Sequence, residues 1–295
     1  MPMKPELQRA IALGLGMQVG ADCRKCKVRP VGGGCIHRSY VIEDDPPFFV
    51  KVNASACDDM FDAEWDGLKA LAETSAIRVP CPLLRGVIGD ESFLVLEFLP
   101  LHGGTTESWE RMGEQIAELH RVTSDDGRFG WHKYNFIGAT PQQNPWHADW
   151  ISFWRQERLE FQIKLAREKG MRFEGSDRLL ERLDAFFTGH RPVPSLLHGD
   201  LWSGNVSFLE SSKPVIYDPA CYYGDRECDL AFTEMFGGFP REFYEAYDAA
   251  WPRHENWRSR RDLYNLYHLL NHANLFGGGY VAQTREIVKR LNGMV

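Results

Sequence analysis

Three polar residues whose side chains suit proton transfer and metal binding fall close together in the last third of the sequence. Asp200 follows an apolar run and a His-Gly pair, Asn205 lies five positions later, and Asp218 ends a further apolar run. If the segments after Asn205 and before Asp218 pair as a β-hairpin, both residues lie at the same end of it, beside Asp200. Asp200 could then accept a hydroxyl proton, while Asn205 and Asp218 offer oxygen ligands to Mg²⁺. This pattern predicts phosphoryl transfer from ATP.

A lysine and a glutamate earlier in the chain complete this arrangement. Lys51 interrupts the apolar run Phe-Phe-Val-Lys-Val, and a cation buried in a strand requires a counter-charge. Glu64, on the next predicted helix, can supply that charge and fix the lysine against the α- and β-phosphates of a nucleotide. The other acidic residues near it, which remain alternatives, are Asp58, Asp59, Asp62 and Asp66.

Three glycines precede these elements, at a position where a glycine-rich loop covers nucleotide phosphates with backbone N–H groups. They are Gly32, Gly33 and Gly34, and His37 stands where protein kinases have a third glycine of their motif. Cys35 falls within the same loop. It is either a small filler residue or a thiol that oxidises, blocking ATP or linking two subunits.

Other phosphate-binding motifs are absent from the sequence. No lysine is followed by Ser or Thr, which excludes a P-loop. The Asp-x-x-x-x-Asn spacing is typical of the protein-kinase catalytic loop, but Gly199 occupies the position where protein kinases have arginine. Only eleven positions separate Asp218 from Asp229, too few for a regulated activation loop and a peptide-docking platform. We therefore predict a small acceptor, and interpret Asp229 as a structural brace for the loop.

The elements that must position these residues divide the chain into two parts near residue 100. The first part, 1–99, predicts a small antiparallel sheet with one helix against it, and the second part, 100–295, predicts mostly helices. Predicted helices of the first part are 5–15 and Asp58–Ala72, and predicted strands are Ser39–Glu43, Phe48–Val52 and Phe93–Leu99, the last stopped by Pro100. Predicted elements of the second part are helices Asp177–Phe187 and Glu242–Leu291, the latter broken at 277–279, and strands Val206–Leu209 and Val215–Tyr217.

Composition limits the class of protein. The 295 residues carry a formal net charge of -7, which disfavours a nucleic-acid partner. No apolar run approaches the roughly 20 residues that span a bilayer, and the first residues lack the pattern of a signal peptide, so we expect a cytoplasmic enzyme without a membrane partner. Seven cysteines are scattered, and Cys23 and Cys26 form an isolated C-x-x-C without further zinc ligands in the nearby sequence. We expect most of these thiols to be reduced and structural.

Several of these segments together resemble the fructosamine/ketosamine-3-kinases, relatives of aminoglycoside and choline kinases. The matching segments, which span nearly the whole chain, are Gly-Gly-Gly-Cys-Ile at 32–36, Phe-Val-Lys-Val-Asn at 49–53, Met-Phe-Asp-Ala-Glu at 60–64, His-Gly-Asp-Leu-Trp-Ser-Gly-Asn at 198–205, Asp-Pro-Ala-x-Tyr-Tyr-Gly at 218–224, Phe-Gly-Gly-Phe at 236–239 and Leu-Tyr-His-Leu-Leu-Asn-His at 266–272.

The resemblance implies an α+β, bilobal, protein-kinase-like fold with an N-terminal ATP-binding lobe and a larger helical lobe. It also implies phosphorylation of O3 of a ketosamine, the sugar adduct of a glycated amine, followed by loss of the unstable 3-phosphate and release of the amine. Carried onto this sequence, Asp200 is the base, Asn205 and Asp218 bind metal, and Lys51 with Glu64 anchors phosphate. A hinge formed by Glu97, Phe98 and Leu99 is then expected to bind adenine through its backbone.

Candidates for contacts with the sugar are aromatic or hydrogen-bonding residues of the second part. Trp202, beside Asp200, is the best candidate for stacking on a sugar. His147, Asp149 and His272 are further candidates, because ketosamines offer hydroxyls and a cationic amine. Trp150 and Trp154 have the helical spacing of core residues, and we expect them to be buried.

Two other functions remain open at this point. One is a kinase for an aminoglycoside, choline or another amino-alcohol. The second is a pseudokinase that only binds ligands, against which the joint presence of Lys51, Asp200, Asn205 and Asp218 argues. The sequence leaves open whether fructosamines or ribulosamines are preferred, whether the amine is free or protein-bound, and whether the chain is a monomer or a redox-linked dimer.

Overall fold

A computed structural model describes residues 2–32 and 36–295 of the chain. Gly33, Gly34 and Cys35, three residues of the predicted phosphate loop, lie outside the described residues. The predicted division into a β-rich first part and a helical second part is confirmed. Across the two described ranges, no helix combines the length and the apolar character needed to cross a membrane.

A five-stranded antiparallel sheet forms the first part, in the order β1-β2-β3-β5-β4. The predicted strand at Phe93–Leu99 in fact ends at Glu97, so that Phe98 and Leu99 belong to the connection between the two parts. The two edge strands, β1 and β4, were not predicted. The strands are β1 Lys27–Val31, β2 Arg38–Glu43, β3 Phe48–Ala54, β4 Pro82–Ile88 and β5 Glu91–Glu97.

Two helices cover opposite faces of this sheet, where the sequence predicted one. Successive strand residues point to opposite faces, and β5 follows this rule. Phe93 and Val95 belong to the cluster beneath α1 (Pro5–Val19), whereas Leu94 and Leu96 belong to the cluster that includes α2 (Asp58–Thr74). That second cluster continues without a break into the helical part of the chain. The sheet and the helices therefore share one core on the α2 side.

The helical part begins at α3 and contains three short β-hairpins or ladders. Its helices are α3 Thr106–His120, α4 Trp150–Phe153, α5 Phe161–Glu168, α6 Ser176–Glu181, α7 Glu227–Thr233, α8 Arg241–Ala250, α9 Trp257–Phe276 and α10 Gly279–Asn292. Its strands are β6 Asn135–Ile137, β7 Thr140–Gln142, β8 Ser195–Leu197, β9 Val206–Phe208, β10 Pro214–Ile216 and β11 Tyr222–Gly224.

Some predicted helices are interrupted in this part. The helix expected over Asp177–Phe187 is α6 followed by a separate 3₁₀ turn, Leu183–Phe187, and the helix expected over Glu242–Leu291 has a second break between α8 and α9. Between α4 and α5 the backbone is a π-helix, Trp154–Glu160. Trp150 and Trp154 are 2% and 1% exposed, which confirms that they are core residues.

Candidate active site

Asp200 and Asn205 are joined by hydrogen bonds across the loop that separates them. The Asn205 Nδ2 donates to the Asp200 backbone carbonyl at 2.9 Å and to its carboxylate Oδ2 at 2.8 Å. Because the amide nitrogen is used in this way, Oδ1 is the atom of Asn205 that can face a cation. The predicted hairpin is confirmed: β9 pairs with β10, and the Tyr217 N–H donates to the Asn205 carbonyl at 3.1 Å. Asp218 therefore leaves the hairpin at the end where Asn205 enters it.

Asp229, on α7, fixes the backbone just before Asp200. Its carboxylate accepts the N–H of His198 at 2.8 Å and the N–H of Gly199 at 2.9 Å. The ring of His120 lies 3.2 Å from the same carboxylate, and both side chains are buried. The predicted role of Asp229 as a brace is confirmed by these bonds.

Gly199 permits a close approach between the loop and the segment after Asp218. Its φ is +81°, and a Cβ at this position would lie 2.0 Å from the carbonyl oxygen of Ala220. The N–H of Ala220 donates to the His198 carbonyl at 2.8 Å, which holds the two segments together. Any side chain at position 199 would separate them, so the residue that sets this loop apart from that of protein kinases is required by packing.

Lys51 lies between two carboxylates from different parts of the chain. Its Nζ is 2.6 Å from Glu64 Oε1 on α2, and it also donates a hydrogen bond to Asp218 Oδ1. Lys51 and Glu64 are 6% and 8% exposed, whereas the side chain of Asp218 is nearly half exposed. Asp218 has a φ of +58°, a left-handed conformation that is uncommon for a residue with a side chain. Asp218 is therefore the member of this cluster that a ligand can reach from solvent.

The surroundings shift the pKa values of this cluster. Burial works against the charge of Lys51, but Asp218 and Glu64 outweigh it and hold the pKa of Lys51 above its usual value. Burial raises the pKa of Glu64 to about 7; the charge of Lys51 opposes this shift and that of Asp218 adds to it. One lysine shared by two carboxylates compensates neither fully, so the pair retains affinity for a further cation.

Asp200 is held in a similar electrostatic environment. Burial raises its pKa to about 7, the hydrogen bond from Asn205 opposes the shift, and the negative charges of Asp218 and Asp229 add to it. A carboxylate with a pKa near neutrality can both accept and release a proton under ordinary conditions, which suits a general base. The direction of the shift favours proton uptake by Asp200.

His37, which follows the glycines at the position of a third glycine in protein kinases, also belongs to the site, a role that the sequence did not predict. Its Nδ1 lies 2.9 Å from Asn53 Nδ2, and its ring centroid is 4.8 Å from that of Phe61. Burial lowers its pKa to about 4, assisted by the charge of Lys51 and opposed by that of Asp218. The imidazole is therefore neutral and close to the lysine. The pairing of β2 with β3 brings it there, a contact that the sequence does not reveal.

The predicted hinge lines an open depression of about 640 Å³ beside the turn of the hairpin β9–β10, and neither Lys51 nor Asp218 is among its lining residues. Glu97 is held there by an ion pair with Arg78, and its N–H donates to the Cys81 carbonyl at 2.9 Å. The backbone N–H groups of Phe98 and Leu99 have no hydrogen-bond partner among residues 2–32 and 36–295. This edge can therefore accept a planar ligand with hydrogen-bonding groups.

Beside Asp200 lies a partly exposed cluster of rings, which we term the aromatic wall. Trp202 contacts Phe236 at 5.8 Å between centroids, and Phe236 contacts His272 at 5.0 Å. Tyr280 contacts His272 at 5.0 Å and Phe276 at 6.2 Å, which completes the wall. Two of the predicted sugar contacts, Trp202 and His272, therefore belong to one surface, with Phe236 between them as a member that the sequence reasoning missed.

The other two predicted sugar contacts have structural partners away from the 198–205 loop. Asp149 caps α4, where its carboxylate accepts the N–H of Ser152 at 2.7 Å. The Nε2 of His147 lies 3.1 Å from a carboxylate oxygen of Glu157. No contact within residues 2–32 and 36–295 joins either residue to the aromatic wall or to Asp200.

Acidic residues of α2 hold this helix against the helical part of the chain. The Lys133 Nζ is 2.8 Å from Asp62 Oδ2, and the Trp131 indole Nε1 donates to Asp66 Oδ2 at 2.9 Å. These contacts flank Glu64 on the same helix. We term the four residues Asp62, Asp66, Trp131 and Lys133 the α2 latch.

Comparison with known proteins shows the family to which this chain belongs. The family model described as fructosamine kinase matches residues 7–293. The chain belongs to the fructosamine kinase family. Among curated members, a Synechocystis protein named as a probable ketoamine kinase is 44% identical over 287 residues, covering 97% of both chains. The chloroplastic protein-ribulosamine 3-kinase of Arabidopsis thaliana is 41% identical over 267 residues, covering 89% of this chain and 81% of the plant protein.

Solved structures agree with this membership. A crystal structure from Haemophilus somnus, provisionally named as a fructosamine-3-kinase, superposes with a TM-score of 0.88 at 33% identity, covering 95% of this chain and 96% of that one. The ADP-bound structure of an aminoglycoside phosphotransferase superposes with a TM-score of 0.64 at 12% identity, covering 96% and 98%, and shows the fold alone. The predicted bilobal, kinase-like fold is confirmed, and as a family member this chain is a phosphotransferase that uses ATP.

Proposed function

We propose that this enzyme transfers the γ-phosphoryl group of ATP to O3 of a ketosamine, a fructosamine or ribulosamine formed by glycation of an amine. Loss of the unstable 3-phosphate then frees the amine. Membership of the fructosamine kinase family supports the substrate class. The observation that carries the reaction is the Asp200 carboxylate, held by Asn205 at 2.8 Å and shifted towards proton uptake.

ATP is proposed to bind between the lobes 1–99 and 100–295. In this proposal adenine lies against the backbone of Glu97–Leu99, where the N–H groups of Phe98 and Leu99 can bind it. Gly32, Gly33 and Gly34 cover the phosphates, and Lys51, oriented by Glu64, binds the α- and β-phosphates. The Lys51–Glu64 ion pair supports this assignment, since it holds the ammonium in a defined position beside Asp218.

The residues at the end of the hairpin fit a magnesium ion. Asn205 Oδ1 and the Asp218 carboxylate are hard oxygen donors, and the two carboxylates around Lys51 exceed its charge. We propose that Asn205 and Asp218 hold Mg²⁺, which when bound neutralises charge on the phosphates. With the ion bound, Asp218 would offer its carboxylate to the metal, and Lys51, still paired with Glu64, would be available to the nucleotide phosphates.

Asp200 is proposed to act on the acceptor hydroxyl. As O3 bonds to the γ-phosphorus and the bond from that phosphorus to the leaving ADP oxygen breaks, the O3 proton passes to the Asp200 carboxylate. Asn205 keeps this carboxylate oriented through its Nδ2, and Asp229 keeps the backbone of the loop in place. No covalent enzyme intermediate is required.

The sugar and its amine are proposed to lie against the aromatic wall. Trp202 and Phe236 offer ring faces to the C–H face of a sugar, and electron-rich rings also attract a cationic amine. His272 can add a hydrogen bond at the far end of the wall. We leave His147 and Asp149 out of this subsite because their side chains are engaged with Glu157 and Ser152.

A coupled ADP-release assay over a small substrate panel tests the substrate class. The panel contains fructosyl-lysine, ribulosyl-lysine, choline and kanamycin at equal concentrations. Turnover of at least one ketosamine, with little or none of choline or kanamycin, is expected. Turnover restricted to choline or kanamycin would overturn the proposal in favour of an amino-alcohol kinase.

Variants of Trp202 test the subsite separately. Trp202→Ala should raise the KM for the ketosamine about tenfold, since stacking of a ring is worth about 0.5–1.5 kcal/mol beyond the loss of buried area. The KM for ATP should remain unchanged. Trp202→Phe, which keeps a ring, serves as the matched control and should recover most of the affinity. A KM increase for ATP instead would mean that the indole acts through the loop rather than on the sugar.

A further inference from the structure

The isolated C-x-x-C of the sequence forms a defined pair of thiols. Cys23 begins the 3₁₀ turn Cys23–Lys25, and the N–H of Cys26 donates to the Cys23 carbonyl at 3.2 Å. Residues three apart in a 3₁₀ helix project on the same side of the turn. The two sulfur atoms are therefore neighbours because of the local backbone.

The pairing of β1 with β2 brings a carboxylate to these thiols. Lys27 is opposite Glu43 at the end of the ladder, so the next residues outward, Cys26 and Asp44, face each other. The Cys23 thiol donates to Asp44 Oδ2 at 3.1 Å. The two sulfur atoms and a carboxylate oxygen all lie within 4.8 Å of one another. A third ligand thus comes from a distant turn that sequence spacing does not indicate.

Burial and charge distinguish this cluster from an ordinary surface group. Cys23 is 1% exposed and belongs to the apolar cluster beneath α1, while Cys26 and Asp44 are half-buried. No lysine, arginine or histidine in residues 2–32 and 36–295 forms an ion pair with Asp44. The carboxylate therefore faces two polarisable sulfur atoms without a compensating cation.

We propose that Cys23, Cys26 and Asp44 bind one Zn²⁺ ion, with water as the fourth ligand on the exposed side. Zinc prefers tetrahedral sites of sulfur, nitrogen and carboxylate oxygen, with Zn–S distances of about 2.3 Å and Zn–O distances of about 2.0–2.2 Å. The sulfur atoms of such a site are about 3.8 Å apart, and those of Cys23 and Cys26 already lie within 4.8 Å of each other. Binding releases the two thiol protons, so the affinity rises with pH.

This site would act on the ATP-binding sheet at a distance from the reaction. It joins the connection between α1 and β1 to the turn between β2 and β3. β1 leads directly to Gly32, the first residue of the predicted phosphate loop. Zinc would therefore stabilise the outer edge of the sheet and the start of this loop, without contact with Lys51 or Asp200. The inference is independent of the substrate proposed above.

Metal titration of the full-length, reduced and chelator-treated protein tests the proposal. Zinc is titrated against a chromogenic chelator, and Co²⁺ is used as a spectroscopic probe in a parallel sample. One zinc per chain and a cobalt–thiolate charge-transfer band are expected. Millimolar Mg²⁺ should not displace the zinc, because a hard cation competes poorly for thiolates. Occupancy should also raise the melting temperature in the absence of ATP.

Variants identify the ligands. Cys26→Ser and Asp44→Asn, both half-buried, should each weaken zinc binding about tenfold or more. Cys57→Ser and Cys81→Ser are matched controls in the same lobe and should leave the affinity and the cobalt band unchanged. Cys23→Ser is less suitable because the residue is in the core. Zinc binding that persists in both ligand variants, an absent thiolate band, or a Cys23–Cys26 disulfide that forms in the presence of zinc would each overturn the proposal.

Discussion

The two halves of the candidate active site are built in different ways. The half that contains Asp200 and Asn205 is assembled from residues five positions apart, and Asp229 fixes it through the backbone. The half that contains Lys51 depends on Asp218, 167 positions away in the sequence. The first half is therefore encoded locally, whereas the second exists only when the sheet, α2 and the helical part dock correctly.

Docking of α2 is the step on which the second half depends. Besides the α2 latch, Gly67 packs so closely that an added Cβ would lie 3.1 Å from Pro219 Cγ, one residue after Asp218. The Cys221 thiol points at the Gly67 carbonyl, at 3.7 Å. Perturbing the loop should therefore impair chemistry alone, and perturbing α2 should impair nucleotide binding.

The largest effect is expected for Asp200→Asn. Removal of the base should lower kcat about 10²–10⁴-fold, because the hydroxyl proton loses its acceptor, while ATP affinity is retained. Steady-state ADP release with fructosyl-lysine or ribulosyl-lysine, together with equilibrium titration of ATP, measures both quantities. Asp149→Asn, which alters a helix cap away from the loop, is the control and should leave kcat unchanged. Wild-type turnover by Asp200→Asn would refute the assignment of the base.

Lys51→Met should lower kcat/KM for ATP about 10²–10³-fold, since one preorganised charge on the phosphates is lost. Its effect on stability is limited, because the pKa of Glu64 is about 7 and the abandoned carboxyl can take up a proton. Adding Glu64→Gln should therefore restore thermal stability but not activity. Melting curves and ATP kinetics of the single and double variants provide the comparison. Recovery of activity in the double variant would contradict the phosphate-anchoring role.

The pH dependence of kcat/KM should show which half of the site controls the reaction at low pH, through a change of about tenfold. With a pKa of about 7, Asp200 is mostly protonated at pH 6, so kcat/KM for the ketosamine should fall about tenfold between a plateau above pH 8 and pH 6. Glu64 has a similar pKa, and the Glu64→Gln variant separates the two groups. Persistence of the acid limb in that variant is expected if Asp200 causes it, and its disappearance would assign the limb to Glu64.

The same shift has a consequence for stability. The folded pKa of Asp200 lies above its ordinary value of 3.8, so its contribution to folding is complete below about pH 3.8 and is lost as the pH rises to about 7. Asp200→Asn removes this loss. Its melting temperature relative to wild type should therefore increase from pH 5 to pH 8, and a constant difference would mean that the carboxylate is not buried in solution.

The smallest effect is expected at the α2 latch. Trp131→Phe removes the hydrogen bond to Asp66 while keeping the ring, and should cost about 0.5–1.5 kcal/mol of stability. The KM for ATP should increase a few-fold, because Glu64 is less firmly placed, and the KM for the ketosamine should not change. Asp90→Asn, which breaks an exposed ion pair with Lys4 in the same lobe, is the control with little expected effect. Equal effects of both variants would show that the latch does not position Glu64.

Sequence reasoning was most successful where local pattern determines structure. The apolar runs at β2, β3 and β5 and the hairpin β9–β10 were predicted from alternation and turns. The edge strands β1 and β4 were missed because they contain Pro30 and Gly86, residues that usually interrupt strands and are tolerated at edges. The break between α8 and α9 was missed although Pro252 and the polar residues 253–256 mark it in the sequence.

The candidate site follows the same rule. The spacing of Asp200 and Asn205 was readable because both belong to one loop. The position of His37 beside Lys51, of Phe236 beside Trp202, and of Asp44 beside the two thiols depends on strand register or on helix packing. Contacts between residues far apart in the chain cannot be inferred from a single sequence. The partners of the aromatic wall and of the thiol pair are therefore visible only in the three-dimensional structure.

The ion pair between Lys51 and Glu64 has a consequence for nucleotide affinity. An enzyme that must assemble this pair loses part of its nucleotide affinity to the rarer competent state. Here Lys51 and Glu64 are paired at 2.6 Å, so the competent arrangement is the one the fold itself builds. Substitutions that loosen α2 are therefore expected to act on nucleotide affinity through the population of the paired state, even where they touch no atom of the nucleotide.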